Sequence, residues 1–236
     1  LKNAPIKEAL VDIQVVLDEN YSFDTMKETL LPFYSEEGFS RVQSIRQIEI
    51  HGRRESEQFF SGSKESLIGF RYDNADNTKV IQARANGFTF SHLKPYANWD
   101  DFTTEAKKYW NHFEQTTKPQ QIRRVATRFI NSIPLASDVK VVADLKSVFR
   151  QPLLLPDILP QQLQHYFSRI VTQDEATSIN IVVICAFEQN EARKSVVFDI
   201  DVFKELPSGF SKEEIWSTLD TMRNFKNDVF FNVLTE

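Results

Sequence analysis

Glycine is scarce in this chain, with 6 residues in 236, about a third of ordinary usage. Glycine lets a backbone close on a phosphate or turn at positive φ, so chemistry built on phosphate loops is disfavoured from the start. No G-x-G-x-x-G, G-x-x-x-x-G-K-[ST] or G-x-S-x-G pattern occurs. The nearest fragment, Ser61-Gly62-Ser63-Lys64, lacks Walker spacing and reads as a hairpin turn. The single cysteine excludes an intramolecular disulfide framework and a cysteine-rich zinc site, and points to a reducing compartment. Basic residues are not in excess, because the net charge is -5 and the pI is near 5.5. Nucleic acid is therefore disfavoured as a partner. The longest apolar runs, such as residues 181 to 187, fall far short of the roughly 20 residues of a bilayer helix, so no membrane partner is expected. No secretory signal is visible, and a chain that begins at Leu1 rather than Met leaves a removed leader open.

What is present is ample core material: 41% hydrophobic residues, including 20 Phe, in a length suited to one large domain or two of roughly 100 residues. Val11, Ile13, Val15 and Leu17 alternate with polar Asp12 and Gln14, the period of a half-buried strand. Ser22 is placed to cap a helix carrying Phe23, Met26, Leu30 and Phe33, with Pro32 bending or ending it near Gly38. Residues 41 to 50 predict a second strand with an irregularity. Residues 66 to 72 and 79 to 92 predict a hairpin across the turn formers 73 to 77. Asn98 then caps a helix whose Trp99, Phe102, Ala106, Tyr109, Trp110 and Phe113 form one aromatic stripe at core spacing.

The second half repeats this order. A strand over 123 to 134 precedes a short helix marked by Val141, Val142, Leu145, Val148 and Phe149, and a Pro-punctuated connection follows. Strands are expected at 165 to 173, 178 to 188 and 194 to 204, the last two joined by the polar turn 189 to 193. The closing helix opens with a Ser211/Glu214 capping box, has Phe210 and Ile215 at staple positions, and carries an Ile215, Leu219, Met222, Phe225 stripe. Strand, helix, three strands, helix is thus written twice. It predicts an α+β protein of two similar halves, 1–117 and 118–236, with antiparallel sheets or one continuous saddle-like sheet, and long helices packed on one face. The cleft between the halves would be the default binding surface.

Several residue groups have both a chemical and a plainer reading. Asp199 and Asp201 are two apart on a strand, so they point the same way and could share a divalent metal, as in nucleotidyl transfer. The plainer reading is the outward face of an antiparallel strand, and no Gly-Ser turn precedes the pair. His51, His92, His112 and His165 are scattered without zinc spacing, and Cys185 sits in the most apolar strand as a small buried hydrophobe, so no metal, cofactor or catalytic residue is assigned. Arg84, Asn86, Phe88 and Phe90 alternate with Ala83, Ala85, Gly87 and Thr89. One strand face would then carry a cation, an amide and two rings, while the small face would admit a helix. Arg128 shares a face with Ala126 and Ile130, and a cation there needs a partner, either Glu8 or a ligand anion. Arg84, Asn86, Phe88 and Arg128 are accordingly the candidate ligand-binding residues. The apolar 152–160 segment reads as packing across the fold, or as a contact for a partner or a second copy in a homodimer.

The opening Asn3-Ala4-Pro5-Ile6-Lys7-Glu8-Ala9, the central Asn86-Gly87-Phe88-Thr89-Phe90-Ser91 with Tyr96, Trp99 and Phe102, and Arg128-Phe129-Ile130-Asn131-Ser132-Ile133 occur in this order. Together they resemble a sporadically distributed bacterial and archaeal family of about this length, which begins with an N-A-P-I-x-E-A motif and has no established activity. The resemblance spans nearly the whole chain and implies a cytoplasmic prokaryotic protein. Patchy distribution associates it with prokaryotic conflict systems but supplies no mechanism. The expected function is a non-catalytic binding module for a protein partner or small ligand. The alternative is a metal-dependent nucleotidyl-transfer or nuclease-type enzyme using Asp199 and Asp201.

Overall fold

A computed structural model of the chain describes residues 4–55, 58–135, 139–152, 156, 158–190, 193–206 and 208–235. In chain order these form β1 (Ile6–Val16), α1 (Phe23–Glu36), β2 (Arg41–Glu55), β3 (Gln58–Asp73), β4 (Lys79–Arg84), β5 (Gly87–Leu93) and α2 (Trp99–Thr117). There follow β6 (Gln121–Pro134), a 3-10 helix (Val142–Ser147), β7 (Phe167–Asp174), β8 (Ile179–Asn190), β9 (Arg193–Glu205) and α3 (Lys212–Val233). The fold is α+β, with one nine-stranded antiparallel sheet in the order β2-β3-β4-β5-β1-β6-β9-β8-β7. The chain divides into two compact units: residues 1–12, 92–97 and 123–236 in one, residues 13–91 and 98–122 in the other.

Local capping explains where the helices start and stop. Ser22 Oγ accepts the Asp24 and Thr25 amides at the head of α1. Pro32 lies inside that helix, which continues past it to Glu36. Gly38, at φ 91°, then ends it: the Gly38 amide donates to Ser35 and the Phe39 amide to Tyr34, a Schellman closure that needs the left-handed residue. Asn98 Oδ1 accepts from the Asp101 amide at the start of α2. At α3 the Ser211/Glu214 capping box is closed in both directions, and Phe210 and Ile215 are both buried.

Two expected elements are drawn differently. Residues 79 to 92 are not one strand, because Ala85 and Asn86 form a two-residue turn between β4 and β5. The first half therefore holds four strands between its helices rather than three. Ser61–Ser63 is no turn; it lies within β3, paired with residues 50 to 52 of β2. The irregularity expected in β2 is a register shift between Ile45 and Arg46. Of the 152–160 segment, residues 153–155 and 157 lie outside the described residues, as do Asn3 of the opening motif and residues 191–192 of the expected β8–β9 turn. Ile158 and Leu159 are exposed.

The 13–91/98–122 unit is an aromatic core. Every member of the α2 stripe is buried, and Phe88 and Phe90 of β5 meet it, with ring centroids 5.7 Å apart for Phe88–Trp110 and 5.4 Å for Phe90–Phe102. Tyr34 of α1 sits edge-on to Tyr72 and Tyr109. In the other unit α3 packs on β8 and β9. Val196, Phe198, Ile200 and Val202 of β9 are fully buried, and Phe230 of α3 lies 6.0 Å from Phe198.

Candidate functional site

Alternation along β9 decides where the charges go. With Val196, Phe198, Ile200 and Val202 under α3, period-two geometry turns Asp199, Asp201, Phe203 and Glu205 to the opposite face. The register of β6 against β9 sets Arg128 directly across from Asp201, Ile130 from Asp199, and Arg124 from Glu205. The face turned away from α3 therefore gathers two arginines and four acids, with Asp12 of β1 completing the set.

Arg128 grips Asp199 with a two-pronged contact, Nε donating to Oδ1 at 2.8 Å and Nη2 to Oδ2. Asp199 is only 5% exposed, whereas the Arg128 side chain keeps 40% of its surface. Arg124 bridges two strands, donating from Nη1 to Asp12 Oδ2 at 3.2 Å and from Nη2 to Asp201 Oδ2 at 3.5 Å. Its guanidinium also lies 4.4 Å from the centroid of the Phe203 ring, and Glu205 is 4.0 Å from its Nε. The hydrogen bond to Asp199 is the main reason the Arg128 guanidinium is held more basic than usual, against the opposing effect of burial. At Asp201 burial outweighs both guanidiniums and lifts the carboxyl above the usual carboxylate range. A carboxyl that is expensive to ionise, beside another already saturated by arginine, is poorly prepared to share a metal ion. Among the described residues no group of three His, Cys, Asp or Glu side chains is arranged to hold one.

Of the four residues picked from the sequence as ligand contacts, Arg84, Asn86 and Phe88 belong to the 13–91/98–122 unit and Arg128 to the other. Arg84 ends β4 and donates from Nη2 to Thr89 Oγ1 at 2.9 Å. Asn86 is exposed in the turn, and its carbonyl accepts from the Val15 amide at 2.9 Å. Phe88 is fully buried against α2. The mixed strand face expected of Arg84, Asn86, Phe88 and Phe90 does not exist, because the turn at 85–86 breaks the alternation that would have built it. Asn86 in the turn, followed by Gly87, is the turn-forming signal in the sequence, although the central turn residues are Ala85 and Asn86. The close neighbour of Gly87 is not a helix but β1: a Cβ there would meet the Ile13 carbonyl oxygen at 2.5 Å. Arg128 has its ion-pair partner in Asp199 of the neighbouring strand, with Glu8 adding a weaker field.

One unusual group escaped the sequence reading. Lys226 of α3 places Nζ 4.1 Å from the centroid of the Phe129 ring. Burial, with a smaller push from Arg223, lowers its ammonium pKa to about 8. The signal was its position: Lys226 follows Met222 by four residues and so continues the Ile215, Leu219, Met222 stripe. Cys185 is buried and its thiol is pushed up to about 11, in keeping with a packing role. No protein-family model matches the chain, and no curated protein matches it.

Proposed function

We propose that the protein is a non-catalytic binding module, and that the face of β1, β6 and β9 turned away from α3 is its recognition surface. The observation behind this reading is the ion network itself. Burying charges on a sheet costs desolvation that an apolar face would avoid, so the placement has to be explained by something other than stability. Asp12, Asp199, Asp201 and Glu205 outnumber Arg124 and Arg128 by two formal charges (4 − 2 = 2). The complementary ligand is therefore a cationic group, most simply a lysine or arginine side chain of a protein partner. Pairs that are already formed leave the surface rigid before binding, which lowers the entropy lost on association.

Immobilised wild-type protein should retain a partner, or bind a lysine-rich peptide in calorimetry, and Asp201→Asn and Glu205→Gln should weaken that capture while the fold persists. An identical retained set for wild type and both folded variants would refute the assignment of this face. The enzyme reading of Asp199 and Asp201 makes the opposite forecast: saturable Mg²⁺ or Mn²⁺ binding that Asp201→Asn abolishes. The role in a prokaryotic conflict system rests on the family resemblance, and adjacent toxin, nuclease or phage genes would support it.

A further inference from the structure

The strand order leaves two edges, β2 and β7. Among the described side chains, β2 exposes Ile48 between the charged or polar Arg41, Arg46, Gln47 and Glu49, and its register shifts mid-strand. Charges and an irregularity are the ordinary means of keeping an edge from pairing. The β7 edge carries a single exposed charge, Arg169, and no register shift. It runs unbroken for eight residues, and Phe167, Ile170 and Val171 are 70%, 58% and 49% exposed.

The direction of its free backbone groups follows from the ladder. Phe167 faces Ala186, so Tyr166 faces Phe187, and the Phe187 amide donates to the Tyr166 carbonyl at 3.0 Å. Period two then turns Ser168, Ile170, Thr172 and Asp174 toward β8, and the amides and carbonyls of Phe167, Arg169, Val171 and Gln173 outward. No strand among the described residues lies on that side.

We propose that two copies of this chain associate through β7, the strands pairing antiparallel about a twofold axis at Val171. A twofold axis perpendicular to the sheet keeps each side chain on its own face, so the paired numbers must sum to an even value. Centring on Val171 pairs Arg169 with Gln173 of the second copy and Ile170 with Thr172. The two Ile170 side chains then become diagonal neighbours, and the two Val171 side chains face each other, covering the apolar surface. Arg169 comes within diagonal reach of Glu175 at the second copy's turn. Centring on Ile170 would instead bring the two Arg169 side chains diagonally together, a like-charge contact. The register β7–β8–β9 puts Val171, Val182 and Asp201 on one row, so pairing would run the face that carries the ion network through both copies.

Sedimentation velocity on the full chain across a concentration series tests this. The wild type should be dimeric at the upper end, and Val171→Lys, which sets two ammonium groups against each other at an exposed position, should weaken the dimer about tenfold or more while the circular dichroism spectrum is kept. In Val171→Cys the two thiols face across the axis at a Cα separation of about 5.5 Å, within disulfide range, so mild oxidation should give a covalent dimer. Buried Cys185 stays silent as the internal control. The cross-link decides the matter even if the lysine variant unfolds. A wild type that is monomeric throughout, or a dimer that survives Val171→Lys and yields no Val171→Cys cross-link, overturns the proposal.

Discussion

Replacing Arg128 by Met is the most direct probe of the charged face. The change removes both donors to Asp199, whose carboxylate is 5% exposed and would be left with Asp201 two residues away on the same strand face. Stripping the partner from a fully buried ion pair costs about 3–5 kcal/mol. Here the arginine keeps 40% of its side-chain surface, so water can reach the orphaned carboxylate in part, and about 2 kcal/mol is the reasonable figure. Replacing both partners, Arg128→Met with Asp199→Leu, removes the uncompensated charge and should bring the loss back to within about 1 kcal/mol. Urea unfolding of wild type, the two single variants and the pair completes a double-mutant cycle, whose interaction free energy should be at least about 1 kcal/mol. A single-variant loss below about 0.5 kcal/mol, or a double loss equal to the sum of the singles, would refute the account. Arg128 would then be held for a ligand rather than for Asp199.

Lys226→Met should stabilise the protein at pH 7. A lysine lowered from 10.5 to about 8 in the folded state corresponds to at most about 3.5 kcal/mol, at about 1.4 kcal/mol per pH unit. Attraction to the Phe129 ring offsets part of this, leaving about 1–2 kcal/mol. The folded state holds fewer protons than the unfolded chain between these two values, so the penalty is complete below pH 8 and disappears as pH rises toward 10.5. The variant's advantage should shrink over that window, and a pH-independent difference would contradict the burial argument. Gly87→Ala should cost about 1–3 kcal/mol in thermal or urea unfolding, because its Cβ would strike the Ile13 carbonyl and backbone cannot yield as a side-chain tip does; an unchanged stability would mean that β1 and β5 separate freely.

Sequence alone determined what depends on near neighbours along the chain. The caps at Ser22, Asn98 and Ser211, the aromatic stripe of α2 and the alternation of β9 each arise from interactions within a few residues, which a linear reading captures. The α+β class followed from summing these local signals. The tertiary structure decided which strand lies beside which, and with it the charge pairings of the β1, β6 and β9 face. Glu8 is the acid nearest in motif to the candidate list, yet Arg128 bonds Asp199, 71 positions away, because β6 and β9 are antiparallel neighbours. Arg124 likewise joins Asp12 to Asp201, residues 189 apart, since 201 − 12 = 189. Even the strength of a charge was settled there: the stripe places Lys226 on the inward face of α3, but only the Phe129 ring packed against it lowers its basicity, because desolvation depends on what packs against a group.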